Sequence, residues 1–140
     1  MIVLDTNIVL DLFVFEDAAV APLRAALQAR QVQWLATPAM REELARVLAY
    51  PQIAKSLSHH GRDPAGVLAA FDAQARMVAP APKAGVTCKD ADDQKFIDLA
   101  VAHGAALLSK DHAVLCMKKR LLALGVWVGP VMPSTENCPG

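Results

Sequence analysis

Met1-Ile2-Val3-Leu4-Asp5-Thr6-Asn7 opens the chain with an unbroken apolar run that stops abruptly at a carboxylate. Ile2, Val3 and Leu4 show no polar alternation, so the run reads as a strand covered on both faces, as the central strands of parallel sheets are. In open α/β sheets the ligand crevice lies outside the carboxyl ends of the strands, where the chain turns into a helix. Asp5 stands at such an end. Asp5, Thr6 and Asn7 are also good N-cap types, so helix capping is a second reading of the same positions. The rest of the chain decides between the two.

Downstream, strand and helix alternate. Residues 7–15 carry Ile8, Val9, Leu12 and Phe13 at helical spacing, with Asp11 among them, and Asp17 opens a longer Ala-rich helix to about Arg30. Residues 32–36 read as a second buried strand. Thr37-Pro38 is a helix-start signal, and the helix runs to Tyr50, where Pro51 ends it. Residues 52–60 and 64–77 form a helical pair over one edge of the sheet. Residues 78–82 read as an edge strand or extended connection, because their prolines cannot serve a central ladder. A long helix opens at Asp90 and ends at Gly104, residues 105–108 make another buried strand, a helix spans 111–124, and 126–128 is the last strand. The pattern predicts an α/β fold in three layers, α/β/α, around a central parallel sheet. One domain over 1–130 suffices, and the proline-rich residues 131–140 form a flexible tail.

Composition agrees with that class and excludes others. Hydrophobic residues make up 54% and aromatics only 5%, so the core is mostly Ala, Val and Leu. No apolar run approaches the roughly 18 residues needed to span a bilayer, and a strand at the very start leaves no room for a leader, so the expected location is the cytoplasm, with no membrane partner. Cys88, Cys116 and Cys138 are odd in number and unrelated in spacing, which predicts free thiols in a reducing compartment. The adjacent His59 and His60 face different directions on any regular element and read as surface residues. Lysine plus arginine and aspartate plus glutamate total 14 each, so the whole-molecule field of many duplex-DNA binders is missing. Nucleic acid would have to be held by metal ions or a local patch; the candidates are Lys110, His112, Lys118, Lys119 and Arg120, whose ordinary alternative is a solvated helix face.

The acids carry the chemistry. On the helix after Pro38, the apolar stripe is Met40, Leu44, Val47 and Leu48; at about 100° per residue Glu43 falls at its edge, while Glu42 points away. A carboxylate there needs a metal, or a rim arginine such as Arg41 or Arg46. In the stretch 88–100, Asp90 is a natural N-cap, and Phe96, Ile97 and Ala100 define the buried face. Asp93 projects onto that face one turn earlier, Asp98 lies opposite and Asp92 is intermediate. Asp111 follows the strand 105–108 as Asp5 follows the first. Asp5, Glu43, Asp93 and Asp111 can therefore share one pocket. Clustered carboxylates raise one another's pKa, so such a pocket calls for a divalent cation, and all-oxygen ligation selects Mg²⁺ or Mn²⁺ over zinc.

These residues resemble the PIN domain, and in particular the toxin components of bacterial toxin–antitoxin pairs related to the VapC-type ribonucleases. The resemblance rests on Leu-Asp-Thr-Asn at 4–7, Glu-Leu-Ala-Arg-Val-Leu at 43–48 followed by Pro51, Asp-Ala-Asp-Asp-Gln-Lys-Phe at 90–96, and Leu-Leu-Ser-Lys-Asp at 107–111. It covers the chain to about Pro130. It implies that Asp5, Glu43, Asp93 and Asp111 bind metal and are catalytic, with Asn7 and Ser109 at supporting polar positions and Thr6 and Asp90 beside them. It implies Mg²⁺- or Mn²⁺-dependent cleavage of single-stranded RNA, in which the ion activates the attacking water and shields the departing oxygen. It further implies a homodimer silenced by an antitoxin protein, with Lys110, Lys118, Lys119 and Arg120 available to RNA. Two positions depart from the pattern: Ala91 stands where proline is usual, and Lys110 where glycine often stands. Lys110 either grips a phosphate or pairs with an active-site acid. Two other classes compete: a PIN module that binds RNA or protein without cutting, and a phosphatase with Asp5 as nucleophile. Against the latter, haloacid-dehalogenase-like enzymes carry a second aspartate two residues on, where this chain has Asn7.

Overall fold

A computed structural model describes residues 1–132, so the tail expected over 131–140 falls, from 133 onward, outside the described residues, and Cys138 with it. The opening run is β1 (Ile2–Leu4), buried along its whole length. Five parallel strands form one sheet in the order β3-β2-β1-β4-β5, where β2 is Trp34–Ala36, β3 Ala75–Met77, β4 Ala106–Leu108 and β5 Val128–Gly129. Thus β1 lies at the centre, with Ile2 opposite both Trp34 and Ala106. Parallel neighbours need long crossovers. Helices supply them: α1 (Thr6–Leu10), α2 (Ala21–Gln28), α3 (Pro38–Leu48), α4 (Pro51–His59), α5 (Pro64–Gln74), α6 (Gln94–His103), α7 (His112–Leu115) and α8 (Lys118–Ala123). The result is a three-layer α/β/α architecture with the sheet in the middle, as the alternating pattern requires.

Helix boundaries follow local chemistry. Four helices, α2 to α5, carry proline in the first turn, where a missing N–H costs nothing. Asp63 caps α5 by accepting from the Gly66 amide at 2.7 Å. Gly104, at φ +60°, ends α6 in the left-handed conformation that lets a helix terminate sharply into β4. Trp34 anchors the core: its ring meets Phe71 of α5 edge-on at 4.9 Å between centroids and Phe13 at 6.1 Å. Among the described residues no helix is long and apolar enough to cross a membrane.

Several boundaries differ from the sequence reading. The helix expected over 7–15 starts at Thr6 and passes into a π-helical turn at Asp11–Phe15. That expected over 17–30 is a 3₁₀ turn, Ala18–Val20, followed by α2. The helix expected to reach Met77 stops at Gln74, and the edge strand is Ala75–Met77, before residues 78–82. Its side chains are half-buried or exposed, so a strand of Ala, Arg and Met left no apolar signature. Val78 still donates to Ala36 O at 2.8 Å; Pro80 then has no N–H to offer. The helix expected over 111–124 is broken into α7 and α8 around Cys116 and Met117.

Candidate metal centre

The carboxyl end of the central strand pair builds the site. The Asp5 amide donates to Leu108 O at 2.9 Å and the Ser109 amide to Gly129 O at 3.0 Å, so the ends of β1, β4 and β5 are locked in register. From there the side chains converge. Ser109, fully buried, donates its hydroxyl to Asp5 Oδ2 at 2.6 Å and accepts from the Asp111 amide at 3.0 Å. Asp111 caps α7 through the Ala113 amide, at 3.0 Å from its Oδ1. Lys110, between them, is fixed through its own amide, which donates to Asn7 Oδ1 at 3.2 Å.

The third carboxylate arrives from a different crossover. Asp90 accepts from the Asp92 amide at 2.9 Å and so caps the 3₁₀ turn Ala91–Asp93 that leads into α6. That turn presents Asp93, only 7% exposed, toward the sheet end. Asp5, Asp93 and Asp111 each offer one carboxylate oxygen, and the three oxygens lie within 4.8 Å of one another. Asp93 Oδ2 is buried and has no hydrogen-bond partner, the single such side-chain atom among the described residues. A buried carboxylate oxygen without a donor is costly, and a cation repays it.

Electrostatics agree. Burial is the main cause that lifts Asp5 above the usual carboxylate range, helped by the charges of Glu43 and Asp111, while the Ser109 hydroxyl and Thr6 amide oppose it. Asp93 is pushed up to about 8, first by burial, then by its contact with the Asp111 carboxyl and by the charges of Asp5, Asp111 and Asp90. Three carboxyls held this close cannot all ionise without a positive charge among them. The donor set is all oxygen, which suits hard divalent ions of the Mg²⁺ or Mn²⁺ kind. The residues fit such an ion.

Glu43 is placed differently. It projects from α3 and its charge is felt at Asp5, but its oxygens are already engaged. Oε1 accepts from Lys95 Nζ at 2.8 Å, and Oε2 makes a short hydrogen bond to the Thr6 hydroxyl. Neither rim arginine is its partner; Arg41 pairs with Asp72 at 2.8 Å. Lys110 is bound to an acid, at 2.6 Å, and that acid is the buried Asp11 of the π-helical turn. Neither Asp11 nor Lys95 stood out in the sequence as a partner, since both pairings span the fold. Asp98, placed opposite the buried face by the helical wheel, is half-buried: it accepts from the Ala84 amide at 2.8 Å and from Gln94 Nε2 at 2.9 Å. The connection before α6 returns over that face. His112, Lys118, Lys119 and Arg120 are exposed on α7 and α8. Cys88 is buried and Cys116 exposed, both as free thiols.

A groove of about 820 Å³ lies at the other end of the strands, lined by residues such as Met1, Gln33, Trp34 and Arg76. No acid lines it, whereas three acids converge at the carboxyl end. Compared with known families, residues 1–113 match a model described as PIN domain. A comparison with curated proteins found no match.

Proposed function

The chain belongs to the PIN-domain family, and on that premise we propose that it is an endoribonuclease that uses Mg²⁺ or Mn²⁺ to cleave phosphodiester bonds of single-stranded RNA. The observation that carries this reading is the convergence of Asp5, Asp93 and Asp111 within 4.8 Å, with a buried Asp93 oxygen lacking any partner. PIN domains are generally metal-dependent nucleases, and phosphodiesters are the substrates that a hard ion in an all-carboxylate site handles best.

When bound, the ion supplies activation of a water and shielding of charge on the phosphate. The chain's own residues do the rest. Asp5, Asp93 and Asp111 provide the ligand oxygens. Ser109 keeps the Asp5 carboxylate oriented and favours its ionised form, and the Asp90 cap holds the turn that aims Asp93 inward. Asn7 fixes the backbone between Ser109 and Asp111, so the two strand-end acids keep a constant separation. Lys118, Lys119 and Arg120 offer exposed positive charge to the RNA backbone. The motif resemblance supports a place as the toxin of a cytoplasmic toxin–antitoxin pair, acting as a homodimer and silenced by its antitoxin.

The test is cleavage of a labelled single-stranded RNA by purified protein, with Mn²⁺ or with EDTA, beside Asp93→Asn. Cleavage that requires both the metal and Asp93 is expected. Cleavage that persists in EDTA or in the variant would overturn the assignment. A module that binds RNA without cutting is the competing reading, because Glu43 is tied to Lys95 and Thr6; retained RNA binding with no cleavage in any lane would favour it.

A further inference from the structure

We propose that Lys95 is the resident counter-ion of Glu43, that a divalent ion in the acidic site competes with it for that carboxylate, and that Lys95 therefore sets how tightly the site takes metal. The inference rests on reading the acidic cluster as a metal centre. It starts from an asymmetry among four acids: three face one another with no cation, and the fourth has one.

The Lys95 side chain is not a loose surface arm. Its ammonium lies 2.8 Å from Glu43 Oε1 and 2.5 Å from the carbonyl oxygen of Asp92, and it sits 4.9 Å from the centroid of the Phe96 ring. Side-chain exposure is 26% for Lys95 and 15% for Glu43, so the pair is poorly screened. Anchoring on the Asp92 carbonyl matters most. Asp92 belongs to the same short turn as Asp93, so the lysine is tethered to the segment that delivers the partnerless carboxylate. The other Glu43 oxygen is held by the Thr6 hydroxyl, next to Asp5. Glu43 thus stands between the two segments that carry Asp5 and Asp93, and its negative charge already has an ammonium partner.

Two consequences have the same sign. An ion entering the cluster meets a fixed positive charge nearby, which opposes it, and it can draw on Glu43 only by displacing an ammonium. Removing that ammonium removes both obstacles. Damage to the fold would act in the opposite direction, weakening the site, so tighter metal binding is a signature that a structural role cannot imitate.

The experiment is calorimetric titration of Mn²⁺ into metal-stripped full-length protein at fixed ionic strength. It compares wild type with Lys95→Met, Glu43→Gln, the double variant, and Lys89→Met as a control for an exposed lysine in the same acidic segment. Lys95→Met should bind Mn²⁺ about tenfold more tightly, Lys89→Met within about twofold of wild type, and Lys95→Met should tighten binding clearly less in the Glu43→Gln background, where only the repulsion by the ammonium remains to be removed. Unchanged or weaker binding by Lys95→Met, with wild type still binding, overturns the inference and leaves the metal centre standing. Equal tightening in the Glu43→Gln background also overturns it. No Mn²⁺ binding by any of the proteins overturns the metal centre together with the inference.

Discussion

Replacing Asp93 by asparagine should act in opposite directions on the metal-free and the metal-loaded protein. In the metal-free state Asp93 is lifted from 3.8 to about 8, so at pH 7 the fold holds protonated a carboxyl that the unfolded chain would ionise. The gap between 3.8 and pH 7 corresponds to about 4 kcal/mol opposing folding. Asparagine has no charge to suppress, but its amide inherits the partnerless environment of Oδ2, at a cost of about 1–3 kcal/mol. The balance favours the variant by about 1–3 kcal/mol, or roughly 3–10 °C in melting temperature for a domain of this size. With Mn²⁺ at a thousand times its dissociation constant, wild type should gain about 4 kcal/mol that the variant lacks. Scanning calorimetry in EDTA and in Mn²⁺ reads both effects. The expected result is a reversal of order, with Asp93→Asn the more stable protein in EDTA and the less stable in Mn²⁺. Lower stability of the variant in EDTA, or equal Mn²⁺ shifts in the two proteins, would refute the electrostatic reasoning.

The same groups fix the pH dependence. Asp93 and Asp5 are both raised on folding, so what these two carboxyls contribute to the stability of the metal-free protein is fully present below about pH 4 and is lost as pH climbs through the Asp93 value of about 8. Relative to Asp93→Asn, metal-stripped wild type should therefore lose melting temperature between pH 5 and pH 8.5, and the Mn²⁺-induced rise should grow over the same range; a flat difference between the two proteins would contradict this. Away from the metal, Lys110→Met strands the Asp11 carboxylate, which is 5% exposed and now 2.6 Å from the Lys110 ammonium. Because the lysine end is half exposed, a loss of about 1–2 kcal/mol is expected by urea unfolding, largely restored by adding Asp11→Asn. An unchanged midpoint for the single variant would show that the pair is only superficial.

The centre of the sheet could be read from the chain because β1, β2 and β4 are apolar on both faces and leave no other interpretation. The edge could not: Ala75 is half-buried, Arg76 and Met77 are exposed, and nothing in their composition distinguishes a strand from the last turn of a helix. Helical facing placed Asp93 inward, and the structure brings it to Asp5 and Asp111. Facing alone could say that Glu43 borders the apolar stripe, but its partner, Lys95, is 52 positions away and is chosen by how α3 and α6 come together. The half-burial of Asp98, on the face opposite Asp93, was hidden for a related reason. A helical wheel knows only its own helix, and the segment around Ala84 that covers Asp98 is contributed by the preceding connection.

The bond between Ser109 and Asp5 joins residues 104 positions apart, and that separation has a meaning in time. During synthesis the first strand and its aspartate emerge early, then wait for β4 to pair beside them. At the usual pace of about 5–20 residues per second, the interval is roughly 5–20 s. For most of it the growing chain lacks Asp93, and for all of it Asp111. In the function proposed above, a metal centre assembled this way stays incomplete while the chain is being made, and it closes only once translation has passed the fourth strand.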